Sequence, residues 1–326
     1  MRFLLCDADG TRPTAHTHGQ GCAVILQQLV TIFIGTMVPV FALIGIGAAV
    51  AKPLDLQART LSRAAYYLFI PAFVFQTLST AKIDLEVAAR VTLYACAANL
   101  AVAFLGLLVA LAFRRSPQMV AAFVLVAVFG NTGNIGLPIV QFHMGPENLP
   151  IGVVYFLAIL SFDFVVGVAA ANYRHGLSLS AVLAVLKTPA LIALPPAILV
   201  NVFAIDIPLP AARAVKLLAD AMIPVMLVAL GVQLAMSGMP KFTVDVWLAS
   251  LVRLIGGAAT AFALAPHFGV EGVERAIGII QAAMPVAVLA SIIALEKDVE
   301  PEFVMATALL STILALPVLT VVLALV

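Results

Sequence analysis

Polar clusters and Gly/Pro punctuation divide this chain into ten apolar segments, each long enough to cross a bilayer. A helix needs about 20 apolar residues to span the hydrocarbon. The segments run approximately over residues 28–50, 60–80, 87–113, 119–142, 149–172, 189–205, 213–236, 245–266, 272–295 and 301–325. Composition agrees. Of 326 residues, 63% are hydrophobic and only 10% are charged, where a soluble domain is nearer about half and a quarter. Mean hydropathy is +1.16. The fold class is therefore an all-α integral membrane protein, and a soluble enzyme is excluded. The net charge of +1 argues against a nucleic-acid partner. Cys6, Cys22 and Cys96 show no paired spacing, so neither a disulfide scaffold nor a zinc site is expected.

Residues 1–27 stand apart. They are polar, with Arg2, Asp7, Asp9 and Arg12, and hold no apolar core of signal-peptide length. His16 and His18 read more simply as part of a disordered tail, or of an over-extended start, than as metal ligands. The loops after odd-numbered spans carry more Lys and Arg, among them Arg114, Arg115 and Lys187. By the positive-inside rule these loops face the cytoplasm of a cell-membrane protein, and both termini lie on the other side. The short linker 173–188 is then cytoplasmic.

The prolines suggest an internal repeat. Ile70-Pro71 in span 2 matches Ile223-Pro224 in span 7, and GLPIV in span 4 matches AMPVA in span 9. Pro39 in span 1 answers Pro195-Pro196 in span 6. Two units, 28–172 and 189–326, would each hold five spans. Five is odd, so the second unit must enter the membrane upside down.

The segment GNTGNIGLPIV, residues 130–140, places three glycines, two asparagines, a threonine and a proline at membrane depth. Broken backbone survives there only inside protein or beside a wet cavity. Interrupted spans at corresponding places in two inverted halves mark a substrate site near the midplane. Half-helix N-termini carry free N–H groups and partial positive charge, which suits an anion, especially a carboxylate. Asn131 and Asn134 are three apart and share a face if the backbone is helical there. With Gly136 and Pro138 they form the first half of the candidate site. Gln281, Met284 and Pro285 form the second. The plainer alternative is that Gly133 and Gly136 let helices pack closely while the amides bond across them.

The motif GNTGNIGLPIVQFHMG resembles the fourth-helix motif of the auxin efflux carrier family, which includes plant auxin carriers and bacterial malonate-transporter-like proteins. The stretch from Gln281 to Leu323 resembles that family's last two helices, and with the Ile-Pro motifs the similarity runs from about residue 28 to the C-terminus. The resemblance implies ten helices in a five-plus-five inverted repeat, with helices 4 and 9 crossing at their prolines, here Pro138 and Pro285. Helices 1, 2, 6 and 7 would form a scaffold that commonly dimerises, and helices 3–5 and 8–10 a mobile unit with elevator-like motion. Two departures stand out. Bacterial relatives often carry an asparagine soon after the ninth-helix proline, where this chain has Val288 and Leu289. The long cytoplasmic loop of the plant carriers is replaced by the short linker.

Ionisable residues inside a membrane are functional candidates by default. Asp163 in span 5 could exchange a proton or bind a cation during transport, or pair with Arg253 in span 8. Arg253 could snorkel to the interface, pair, or attract an anionic substrate. Asn99 is a further candidate for the pathway, and Lys216 and Asp220 are spaced to pair on one helical face. No hydrolytic motif or phosphate-cradling loop is present, so transport would draw on a gradient or on exchange. The expected function is secondary transport of small organic anions, such as malonate- or malate-like carboxylates or auxin-like aromatic carboxylates. No cofactor is expected beyond a coupling proton or sodium ion, and the expected partners are the anion, the bilayer and a second copy of the chain. The alternatives are a sodium-coupled symporter of the bile-acid type, a channel, and a sensor that binds without translocating.

Overall fold

The computed structural model describes residues 26–82, 84–171, 186–236 and 240–326. Nearly all of the N-terminal tail, with His16 and His18, and nearly all of the linker 173–188 fall outside the described residues. Among the described residues the fold is all helical, and no strand occurs. The helices are α1 (Leu26–Ala51), α2 (58–79), α3 (Leu85–Ala112), α4 (Pro117–Val128), α5 (132–144), α6 (Leu149–Ala171), α7 (Pro189–Val202), α8 (Leu209–Met236), α9 (244–264), α10 (Gly272–Ala282), α11 (Val288–Lys297) and α12 (Pro301–Leu325). Among the described residues six helices are long and apolar enough to cross a membrane, and α4 and α7 are shorter apolar helices.

Local chemistry sets the ends. Ser116 Oγ accepts from the Met119 N–H at 3.2 Å and Pro117 follows in the first turn, so α4 starts with a capped end and no wasted donor. Asp84 caps α3 through the Glu86 N–H at 3.1 Å. Proline also shapes the interiors. Three helices widen into a π-turn that ends two residues before a proline: Phe33–Met37 before Pro39, Ala65–Phe69 before Pro71, and Thr132–Gly136 before Pro138. Proline offers no N–H to the carbonyl four residues back. Widening the turn lets such carbonyls bond one residue further on, a device often found at functional sites.

Along α3, Leu93, Leu100, Phe104, Leu108 and Leu111 form an exposed stripe at helical spacing. In lipid such a stripe is a solvated face, because acyl chains are as apolar as leucine. Association must then come from close packing. Helix α1 lies on α8, and α2 lies on α7 and α8. Gly47 presses against the Val228 carbonyl and Gly231 against the Ile44 carbonyl, so α1 and α8 meet backbone to backbone. Side chains tie this group further: Asn201 Nδ2 donates to the carbonyls of Leu78 (2.9 Å), Ser79 (3.2 Å) and Ala81 (2.6 Å) at the end of α2. The expected Lys216–Asp220 pair forms on the exposed face of α8, at 2.8 Å. In a second set of contacts, α3 packs on α4, α6 and α9, while α12 packs on α9 and α11.

Spans 4 and 9 are interrupted, as the sequence suggests, but one detail differs. The first break falls at Phe129–Asn131, and Pro138 lies beyond it in the opening turn of the segment Leu137–Met144. Pro285 does lie in the second break. The two prolines are therefore not equivalent positions. Pro138 lies inside α5, where the π-turn Thr132–Gly136 ahead of it accommodates the N–H that proline lacks, and span 4 is interrupted earlier, around Gly130.

Candidate functional site

The two breaks satisfy each other. Gly130 and Val286 form an isolated antiparallel bridge. The Asn131 N–H donates to the Pro285 carbonyl at 2.7 Å, and the Ala287 N–H donates to the Phe129 carbonyl at 2.8 Å. Ser311 of α12 accepts the Val286 N–H at 3.0 Å and donates to the Ala308 carbonyl at 3.2 Å. Backbone that lost its helical partners thus finds new ones at depth, where an unsatisfied group would cost several kcal/mol.

The first halves of both spans, α4 and α10, end facing one side chain. Arg253 Nε donates to the Met284 carbonyl at 2.9 Å, and a second nitrogen donates to the Ala282 carbonyl at 3.3 Å. The third nitrogen donates to the Ala127 carbonyl at 2.6 Å, the Val128 carbonyl at 3.5 Å and Asn99 Oδ1 at 3.2 Å. Arg253 is only 1% exposed, so of the alternatives open to it from the sequence, snorkelling to the interface does not occur. Its π-turn in α9, Val252–Gly256, has no proline behind it, unlike the other three. The guanidinium lies so close to Gly130 that a methyl group there would overlap it.

Asn99 Nδ2 donates to Asp163 Oδ1 at 2.6 Å. Asn99 therefore links the acid to the guanidinium, and this bridge stands in place of the direct Asp163–Arg253 ion pair that was one alternative from the sequence. The three intramembrane candidates Asn99, Asp163 and Arg253 form one buried chain behind the crossing.

The substrate candidates gather at the crossing itself. Asn131 caps the π-turn with φ −80° and ψ 51°, outside helical geometry. It therefore does not share a helical face with Asn134 in the assumed way: Asn131 is buried and Asn134 is partly exposed. Gln281 Oε1 and Met284 Cγ lie over Gly136, where a Cβ would collide with the amide. Gln281 Nε2 reaches the Gly152 carbonyl at 3.4 Å. Two atoms are conspicuous: Asn131 Nδ2 and Gln281 Oε1 are buried with no hydrogen-bond partner, a donor from one break and an acceptor beside the other. Ser291 Oγ in α11, Thr188 Oγ1 and Arg90 Nε, away from these two, are likewise buried without a partner among the described residues. Unpaired buried polar atoms are costly and rare, and call for an explanation.

Sequence reasoning passed over Ser311, although Thr307, Ser311 and Thr312 form a small polar set on an otherwise apolar helix and were visible as such. Among the described residues no group of three or more His, Cys, Asp and Glu could hold a metal ion.

Residues 32–170 and 176–323 match a family model described as membrane transport protein. The chain is also 23% identical over 310 residues to an uncharacterised transporter of Methanocaldococcus jannaschii, covering 91% of this chain and 96% of that one. A second uncharacterised transporter, from Methanothermobacter thermautotrophicus, is 23% identical over 295 residues, covering 90% and 94%.

Proposed function

The chain belongs to the membrane transport protein family, the auxin efflux carrier family that its motifs resemble, and from that premise we propose that it is a secondary active transporter of small organic anions. The observation that carries this reading is the crossing, where Asn131 Nδ2 and Gln281 Oε1 are buried without partners. A carboxylate beside Asn131 would supply the missing acceptor. A hydroxyl or a protonated group on the same ligand would satisfy Gln281. The start of α5, which directly follows Asn131, adds the partial positive charge of a helix N-terminus. The substrate class is mono- or dicarboxylates of malonate or malate size, or auxin-like aromatic carboxylates.

The mechanism we propose is elevator-type alternating access on a ten-span, five-plus-five inverted repeat. The packing supports the repeat, because three of its contacts exchange in pairs when the halves are swapped. The α1–α8 contact exchanges with α7–α2, α3–α4 with α9–α10, and α3–α6 with α9–α12. Helices α1, α2, α7 and α8 would form the scaffold and the dimer contact, and the remaining helices the moving unit. Both termini would face away from the cytoplasm. Asp163, which among the described residues takes its side-chain hydrogen bond from Asn99, is the candidate for proton coupling. Flux driven by a pH gradient should lose its pH dependence in Asp163→Asn; unchanged dependence removes that assignment.

The deciding test is the thermal shift of the purified chain with a panel of carboxylates, followed by uptake of the best ligand into proteoliposomes. Ligands of the folded state raise its apparent stability. The wild type should respond to at least one carboxylate, and Asn131→Ala and Asn134→Ala should lose the response. Equal responses in all three proteins would end the site assignment. Binding without uptake would leave a sensor.

A further inference from the structure

Helix C-termini carry partial negative charge, and broken helices in carriers commonly hold a coupling cation with such ends and with unwound carbonyls. Both interrupted spans here send their first halves to one point: Ala127 and Val128 from α4, Ala282 and Met284 from α10 and the turn after it. Together with Asn99 Oδ1 they make a buried set of oxygens from both halves of the chain. A cation belongs there, and a side chain supplies it.

We infer that Arg253 is a tethered cation: its guanidinium stands between the two half-helix C-termini in the place of a free metal ion, so that the crossing assembles without sodium or potassium. Three observations carry this. The donors of Arg253 are spread over carbonyls of both spans rather than committed to one acid. Among the described residues Arg253 reaches Asp163 through Asn99, so the acid balances the charge without withdrawing the guanidinium from the carbonyls. Gly130 leaves room that any side chain would fill. Removing the guanidinium then leaves a vacant site lined with oxygens, whose natural occupant is a small planar cation. The inference concerns how the crossing is held together and is independent of which anion crosses.

The test reads melting temperature, without any carboxylate, on the full chain in detergent. The wild type should melt alike in choline, sodium and potassium chloride at equal ionic strength. A saturable rise with sodium overturns the inference. Arg253→Ala should melt roughly 5–10 °C lower, as expected for a buried group deprived of its partner in a chain of this size. Millimolar guanidinium should restore most of that loss in the variant and leave the wild type unmoved, which loss of packing alone does not predict. Arg253→Lys, which keeps the charge, should fall less than Arg253→Met, a neutral chain of similar length. A variant as stable as the wild type, or a guanidinium effect equal in both, overturns the inference. If the neutral variants do not accumulate, the wild-type comparison of salts decides alone.

Discussion

Gly130 and Asn131 are neighbours with opposite expectations. A methyl group on Gly130 would overlap the Arg253 guanidinium, which is anchored to the carbonyls at both breaks and has nowhere to go. Gly130→Ala should therefore destabilise the protein by about 1–3 kcal/mol, the usual range for overpacking. Asn131→Ala removes a buried amide whose nitrogen has no partner, so the ligand-free protein should change by less than about 1 kcal/mol or gain stability. Thermal melting of the two variants without ligand checks the contrast, and reversal of the order would show that the amide serves packing rather than a ligand. Asn131 could be singled out from the sequence because a polar group in an apolar run needs a reason. The need for glycine at 130 could not be explained, because its cause is a side chain far along the chain.

At the level of elements, the approach of α1 to α8 depends on Gly47, where a methyl group would meet the Val228 carbonyl. Two residues away, Gly45 faces open space within 4 Å. Gly47→Ala should cost about 1–3 kcal/mol by forcing the backbones apart. Gly45→Ala should be neutral or stabilising by up to about 1 kcal/mol through helix propensity. Parallel melting curves test the pair, and equal effects would mean that the contact between these helices is not a tight one. The π-turns are an element-scale feature that sequence alone left unread. Proline at 39, 71 and 138 announced a disturbed helix but not its form. A proline can kink, end or start a helix, and the choice depends on which neighbouring helix accepts the displaced backbone. Pro138 illustrates this: it lies within α5 behind a π-turn, and span 4 breaks earlier, at Phe129–Asn131.

For the whole molecule, elevator motion requires α6 to slide past α2, which it touches. In a chain with Cys6, Cys22 and Cys96 changed to Ser, a cysteine pair joining Ile70–Ser79 of α2 to α6 should stop uptake on oxidation and release it on reduction. The thermal response to substrate should persist throughout. Uptake that continues in fully cross-linked protein would exclude sliding between these two groups of helices. The chain's membrane character, its all-helical class and the presence of interruptions near Gly130 and Pro285 were legible in the sequence alone. They follow from local rules, the thickness of hydrocarbon and the failure of Gly, Asn and Pro to sustain a helix. The tertiary structure alone decided which backbone groups at one break pair with those at the other. It also decided that Arg253 faces carbonyls rather than the interface, and that Asn99 stands between it and Asp163. Hydrogen bonds and charges inside a membrane must be satisfied by whatever comes near, and nearness between residues so far apart in sequence is a property of the packed fold.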